Sequence, residues 1–286
     1  MAAIQQQNEA QPDLEHGIDY WNQQSADYNG VLGGFGNGSL PRVDALGSRQ
    51  FLLYLRPDLC QVESALRLLK PTPPSHRIRA VDVGAGVGRV TSDVLLNLVS
   101  DIVLLEPVGI FIQEGFKRCS ASQEQDEPTS SFVPWKGMKN KTKSVNFIQG
   151  TLQDFDPSHP QERTKPLGRI GFIPDHVNDD LESGFDIVWC QWCLGHLSDP
   201  DLVAFFKRCK NALRDSKSFI IVKENLCSNA DDGGPLTVFD PDDSSVTRSD
   251  SAWKEVFKQA GLTLLHQKVQ LGFPIGLFEV KMYALR

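Results

Sequence analysis

The fold is decided by residues 79–91, which read Arg-Ala-Val-Asp-Val-Gly-Ala-Gly-Val-Gly-Arg-Val-Thr. This pattern predicts a short strand, a glycine-rich turn and the start of a helix. Gly84, Gly86 and Gly88 have no Cβ, so the turn can take positive φ angles and let a ligand approach the backbone closely. The amides that open the helix are free to bind an acidic ligand group. A tight turn without any ligand would have the same sequence.

A second strand favours a ligand at this turn. Residues 102–105 read Ile-Val-Leu-Leu and are followed by Glu106, about 20 residues after the glycines, where an acid binds ribose hydroxyls in nucleotide-binding sheets. Dinucleotide dehydrogenases, the alternative, usually space their glycines as Gly-x-Gly-x-x-Gly. The spacing here is Gly84-x-Gly86-x-Gly88 after Asp82, which resembles class I S-adenosylmethionine-dependent methyltransferases.

Composition limits the classes of partner. A net charge of −7 over 286 residues argues against general binding to nucleic acid or anionic membranes and suits a cationic substrate. No apolar run approaches a transmembrane length and the polar start is not a signal peptide, so we expect a cytoplasmic and also nuclear protein. Cys190 and Cys193 have metal or redox spacing but no second pair, so we expect them to pack as small hydrophobic residues and expect no metal.

The order of elements predicts one α/β domain. We expect a disordered tail over 1–16 and a domain over 17–286, which begins with a lid and helices at 17–75 and carries inserted loops at 120–143 and 157–183. Alternating strands and helices predict a mostly parallel, seven-stranded Rossmann-like sheet with an antiparallel C-terminal hairpin. Ligands bind beyond the carboxyl ends of such strands. Polar and aromatic residues collect there, at 84–89, 106, 152–153, 191–196 and 225.

Two further stretches are unusual. His196 follows a strand end and has Trp192 nearby, although a lone histidine is more often structural. Residues 239–245 read Phe-Asp-Pro-Asp-Asp-Ser-Ser, which would also fit a solvated acidic loop. The calcium-binding EF-hand pattern is absent from this stretch.

Together these stretches resemble the eukaryotic protein N-terminal α-amine methyltransferases, which act on Xaa-Pro-Lys/Arg termini. The matching pieces cover most of the chain: Tyr20-Trp21, residues 30–36, 84–89 and 152–155, Gln191-Trp192, residues 195–197, Asn225, residues 243–246 and the closing Ala284-Leu285-Arg286. The sequence departs from the family at three positions. Glu106 replaces an Asp, Pro241 stiffens the acidic loop, and Phe278 takes the place of a substrate-side Tyr.

The resemblance implies a role for each candidate residue. It implies that S-adenosylmethionine is held by Gly84, Gly86, Arg89, Glu106, Pro107, Val108, Leu152, Gln153 and Gln191, with Arg89 on its carboxylate. His196 and Asp243 would be bases beside the substrate amine. The substrate would contact Trp21, Leu32, Trp192, Asn225, Asp240 and Ser245, with Asp240 and Ser245 holding a Lys or Arg at its third position. Ribosomal proteins are expected among the substrates.

The chemistry agrees with the resemblance. An α-amine has a pKa of about 7.7–8.0 and is mostly protonated at neutral pH, so a carboxylate or imidazole must remove its proton before it can be methylated. A methylated amine keeps a lone pair, so repeated methylation up to trimethylation is allowed. Two alternatives stay open: a small-molecule methyltransferase on the same fold, and a non-catalytic cofactor-binding partner protein.

Overall fold

The computed structural model describes residues 11–60, 62, 74–125, 127–129, 132–175 and 183–286. Its strands are β1 (Arg79–Val83), β2 (Asp101–Glu106), β3 (Ser144–Gln149), β4 (Lys165–Gly171), β5 (Ile187–Gln191), β6 (Phe219–Cys227), β7 (Thr237–Asp240), β8 (Ser245–Ser249), β9 (Leu264–Val269) and β10 (Glu279–Leu285). Its α-helices are α1 (Leu14–Asn22), α2 (Leu40–Leu55), α3 (Arg89–Asp93), α4 (Gly109–Ala121), α5 (Asp199–Asn211) and α6 (Asp250–Gln259). None of these helices combines the length and the apolar character that crossing a membrane requires.

The strands form one sheet with the order β4-β3-β2-β1-β5-β6-β10-β9. The central strands β3, β2, β1, β5 and β6 are parallel, and β10 runs antiparallel to both β6 and β9. The predicted α/β fold with an antiparallel C-terminal edge is therefore confirmed. Parallel strands bring their carboxyl ends to one edge, and the turns after β1, β2, β5 and β6 meet there.

The central strands alternate between two apolar layers, as the two-residue period of a strand requires. Val81 and Val83 face one core cluster, which includes aromatic residues of α5 and α6. Ala80 faces the other cluster, with Phe51 of α2 and Val90 of α3. Because helices cover both faces, the sheet is a rigid support for the turns at its edge.

The structure corrects or adds to the predictions about the peripheral parts. The sheet has ten strands among the described residues, not seven: β4 lies inside the predicted inserted loop 157–183, and β7 and β8 form a hairpin in a segment predicted to be a loop. Within 120–143, Trp135 and Met138 are buried in the core. In the predicted disordered tail, residues 14–16 open α1, while 1–10 lie outside the described residues. Part of the predicted N-terminal lid and helices, residues 61 and 63–73, also lies outside them.

Candidate active site

The glycine turn has the backbone that its sequence predicts. Gly84, Gly86 and Gly88 have φ angles of 61°, 57° and 80°, which L side chains rarely adopt. A Cβ on Gly84 would lie 2.3 Å from the Cβ of Cys193. A Cβ on Gly86 would lie 3.2 Å from Cγ1 of Val31, which belongs to the N-terminal segment above the turn. The turn is therefore covered closely from two sides.

Glu106 joins the end of β2 to this turn. Its carboxylate accepts hydrogen bonds from the amide nitrogens of Gly86 at 2.7 Å and Val108 at 2.8 Å. Burial raises the pKa of Glu106 to about 7, although the two amide donors act in the opposite direction. Each carboxylate oxygen has a second lone pair for a ligand hydroxyl.

A first cavity opens above the turn and encloses about 690 Å³, including space that is open to solvent. Seven of the nine predicted cofactor residues line it: Gly84, Gly86, Glu106, Pro107, Val108, Leu152 and Gln153. Thr151, Cys193 and Phe111, which were not predicted, also line it. We call it the cofactor cavity.

Arg89 and Gln191, the other two predicted cofactor residues, bind Asp44 instead. Arg89 Nη1 donates to Asp44 Oδ2 at 2.6 Å, and Gln191 Nε2 donates to Oδ1 at 2.9 Å. Lys223 completes the network from β6. Burial alone would raise the pKa of Asp44, but the charges of Arg89 and Lys223 hold it below its ordinary value. Direct cofactor contacts of Arg89 and Gln191 stay a prediction, because neither lines the cofactor cavity.

A second cavity, of about 1070 Å³, adjoins the first. Trp21, Val31, Trp192 and His196 line both. Of the predicted substrate residues, Trp21, Leu32, Trp192, Asn225 and Ser245 line this second cavity, and so do both predicted bases, His196 and Asp243. Asp240 does not: it ends β7 and is exposed. We call this the peptide cavity because of the function proposed below.

The His196 imidazole is held by the N-terminal helix. Trp21 Nε1 donates to His196 Nε2 at 3.0 Å, so the proton of the neutral ring lies on Nδ1. Burial lowers the pKa of His196, against the charge of Asp243. The ring is therefore neutral, and its acceptor nitrogen is already hydrogen-bonded.

Polar atoms of the peptide cavity lack partners. Asp243 Oδ1 and Trp192 Nε1 are buried, and neither has a hydrogen-bond partner among the described residues. Trp192 and Ser244 also have positive φ angles of 55° and 53°. Buried unpaired polar atoms and left-handed non-glycine residues are costly and collect at binding sites.

Sequence reasoning missed Glu224, which lines the peptide cavity. Its Oε1 accepts from the amides of Cys193 and Leu194, both at 3.0 Å, and so supports the turn that carries Trp192 and His196. Burial raises its pKa to about 7. The sequence did contain an indication of this role. Lys223 and Glu224 are adjacent charges in a largely apolar strand, and such charges are almost never buried without partners.

Cys190 and Cys193 pack as small hydrophobic residues, as predicted. Cys190 and Cys193 are buried in the core with free thiols, and burial holds the pKa of each thiol well above its ordinary value. Within the described ranges, no group of three His, Cys, Asp or Glu residues is arranged as metal ligands.

A family described as AdoMet-dependent proline di-methyltransferases matches residues 9–286. The chain belongs to this family. It is 35% identical to alpha N-terminal protein methyltransferase 1 of Schizosaccharomyces pombe, over 94% of this chain and 93% of that protein. It is 34% identical to the protein of the same name from Arabidopsis thaliana, over 94% and 78%. A solved SAM-dependent methyltransferase of Leishmania major superposes with a TM-score of 0.65 at 27% identity, covering 95% of this chain and 82% of that one.

Family membership makes the chain a methyltransferase that uses S-adenosylmethionine, which confirms the predicted enzyme class and cofactor. The cofactor cavity fits this molecule. Gly86 leaves space beneath Val31 that a side chain would fill, and Glu106 offers acceptor oxygens to ribose hydroxyls. Val108, Phe111 and Leu152 supply apolar walls.

Proposed function

We propose that this enzyme methylates the free α-amino group of protein N-termini that begin Xaa-Pro-Lys or Xaa-Pro-Arg after removal of the initiator methionine, up to trimethylation. One observation carries the proposal. Asp243 lines a cavity that meets the cofactor cavity at Trp21, Trp192 and His196, and its buried Oδ1 has no hydrogen-bond partner among the described residues. An amine bound there would lie beside both a proton acceptor and the methyl donor. A Xenopus tropicalis relative, 28% identical over 93% of this chain, is named N-terminal Xaa-Pro-Lys N-methyltransferase 1.

The amine must first lose its proton. Asp243 is the better placed acceptor, because its Oδ1 has no partner among the described residues while the acceptor nitrogen of His196 is bonded to Trp21. His196 becomes a second acceptor when Trp21 moves away. The bound cofactor supplies the methyl group from its sulfonium. Trp21, Val31 and Trp192 exclude water from the junction and restrict the amine to an in-line approach.

The remaining proposed contacts come from the family resemblance, and the lining of the peptide cavity supports those of Trp192, Asn225 and Ser245. Trp192 packs against the substrate proline, and Asn225 hydrogen-bonds the peptide backbone. Ser245, with Asp240 at the outer end of β7, holds the third residue. Asp240 is exposed, so water screens its attraction for a cation in the free enzyme. Ribosomal proteins with such termini are proposed substrates, and a cytoplasmic and nuclear location stays a prediction.

A peptide assay tests the proposal. The enzyme is incubated with S-adenosylmethionine and a Xaa-Pro-Lys hexapeptide, and the peptide mass is followed for one, two or three added methyl groups. The same peptide with an acetylated N-terminus should stay unchanged, since it has no free α-amine. Methylation of the acetylated peptide would place the modification on the lysine side chain and refute the proposal. Absence of any methylation with all Xaa-Pro-Lys/Arg peptides would favour a small-molecule substrate or a non-catalytic role.

A further inference from the structure

One part of the peptide cavity is an aromatic wall that continues outward from Trp192. The ring of Phe273 lies next to Trp192, with 6.2 Å between the ring centroids. Leu277 and Phe278 continue the same lining. These three residues belong to the loop between β9 and β10, residues 270–278, which we call the β9–β10 loop. Phe278 is 54% exposed, so the wall reaches the mouth of the cavity.

Two other large residues of the β9–β10 loop are apolar and exposed. Leu271 and Ile275 in the β9–β10 loop are 75% and 105% exposed. Loops are usually polar because their side chains face water, so exposed large apolar residues beside a binding cavity indicate a contact surface. The end of the cavity that adjoins the cofactor cavity is the place for the substrate amine. Later substrate residues therefore extend away from this end, and the β9–β10 loop is one of the segments that border the rest of the peptide cavity.

The alternation of an extended peptide decides which substrate residue meets this wall. Successive side chains of an extended chain point to opposite sides, so the second and fourth share a side and the third points away from them. In the proposed function the second residue packs on Trp192 and the third points to Ser245 and Asp240. The fourth residue then returns to the side of Trp192.

The spacing agrees with this assignment. Side chains two residues apart in an extended chain are separated by roughly 6.6 Å, close to the 6.2 Å between the Trp192 and Phe273 rings.

A cation is a poor occupant of the position next to the Phe273 ring. Lys223 already places its ammonium 5.8 Å from the centroid of that ring.

We propose that the β9–β10 loop selects an apolar side chain at the fourth residue of the substrate, through Phe273, Leu277 and Phe278. The inference rests on the proposed function and adds to it a preference for an apolar residue after Xaa-Pro-Lys/Arg. Phe273 and Phe278 are thereby specificity-determining residues.

Three hexapeptides that differ only in a Leu, Ser or Arg at the fourth position test the inference. Binding is measured by calorimetry with S-adenosylhomocysteine present, and kcat/KM is measured by mass spectrometry with S-adenosylmethionine. We expect the Leu peptide to bind about tenfold more tightly than the Ser peptide, as partial burial of a leucine side chain predicts. We expect the Arg peptide to gain nothing over Ser.

Variants of the β9–β10 loop test whether the preference for Leu over Ser at the fourth position arises from this loop. Phe273→Ser and the more exposed Phe278→Ser should each reduce the preference for Leu over Ser, and the double variant should bring it within about twofold. Leu265→Ser is the matched control, because Leu265 is an apolar residue of β9 with 42% exposure that lines neither cavity. Leu265→Ser should keep the full preference for the Leu peptide over the Ser peptide. If Phe273→Ser does not fold, Phe278→Ser alone still tests the location.

The outcomes separate this inference from the proposed function. Methylation of all three peptides with equal binding would overturn the inference and leave the proposed function standing. Tighter binding of the Leu peptide without methylation of any peptide would support the inference and refute the proposed activity. Binding of none of them would overturn both.

Discussion

Asp243 and His196 line the same cavity but differ in what occupies their acceptor atoms. The acceptor nitrogen of His196 is bonded to the Trp21 indole at 3.0 Å, whereas Asp243 Oδ1 is buried with no partner in the part of the chain that the structure describes. A proton acceptor needs a free lone pair directed at the substrate. We therefore expect the two residues to have unequal roles in the proposed reaction, with Asp243 as the main base.

Asp243→Asn tests this assignment. The amide keeps the shape of the side chain but cannot take a proton, so kcat should fall by about 10²–10³ while peptide affinity changes little. Raising the pH should recover part of the loss, because more of the amine arrives deprotonated. His196→Gln, assayed in parallel, should cost less. If Asp243→Asn raises KM alone and keeps kcat at every pH, Asp243 is a binding residue and not a base.

Gly86→Val should remove cofactor binding. The variant forces a β-branched residue to a φ of 57° and directs its side chain at Val31. We expect the affinity for S-adenosylhomocysteine, measured by calorimetry, to fall at least about 100-fold. Gly233→Val is the matched control, since Gly233 has a φ of 80° but no atom within 4 Å of its Cβ position. An equal loss in both variants would show that backbone strain, not the cavity, causes the effect.

At the residue scale, the sequence predicted what depends on local spacing. The glycine turn and Glu106 could be assigned because strand, turn and acid follow one another along the chain. Asp44 could not, since its partners Arg89, Gln191 and Lys223 come from three distant elements. A single Asp in an amphipathic helix looks exposed until the fold buries it.

At the scale of elements, α1 lines both cavities at the candidate active site, with Trp21 at their junction. Its N-terminal end is fixed where the Asp13 amide donates to Ser244 Oγ at 2.8 Å, and its C-terminal half places Trp21 on His196. Gly17 permits this contact. A Cβ at Gly17 would lie 3.1 Å from His196 Nδ1 and 3.3 Å from the Asp243 carbonyl oxygen.

Gly17→Val should therefore separate α1 from the site. We expect at least a tenfold loss of kcat/KM for the peptide, about 1.4 kcal/mol or more, and a thermal unfolding temperature close to that of the parent. Asp19→Val places the same β-branched residue at an exposed position of the same helix and should keep kcat/KM within about twofold. Full activity of Gly17→Val would show that α1 need not pack closely on His196.

The strands that the sequence missed share a physical cause. β4 is an edge strand with an exposed beginning, and β7 is exposed along most of its length. Strands without one buried face show no apolar alternation. The inner strands could be predicted because they are buried on both faces and read as continuous apolar runs.

The stability of the whole molecule should depend on pH through three buried carboxyl groups. Burial raises the pKa values of Asp82, Glu106 and Glu224 to about 7. Between the ordinary carboxyl pKa of about 4 and pH 7, the folded state binds more protons than the unfolded state, so the free energy of unfolding falls as the pH rises. Burial lowers the pKa of His196, which acts in the opposite direction. The three raised carboxyl pKa values should outweigh this single lowered pKa.

Glu106→Gln isolates one of these contributions. Glutamine does not titrate, so the variant should lose less stability than the parent between about pH 5 and pH 8. The difference should be on the order of 3 kcal/mol, because the pKa of this fully buried group rises from 4.5 to about 7. Urea unfolding across this pH range measures it. Identical pH profiles for parent and variant would contradict the raised pKa.

Among the described residues, the two cavities share one layer of side chains, Trp21, Val31, Trp192 and His196. This arrangement limits which substitutions can change the binding of one ligand alone. A substitution in the shared layer alters the binding of donor and acceptor at once, so it rarely improves one without harming the other. Phe273, Leu277 and Phe278 border the peptide cavity alone. We therefore expect that substitutions in this one surface loop can change the choice of peptide while the binding of the methyl donor stays the same.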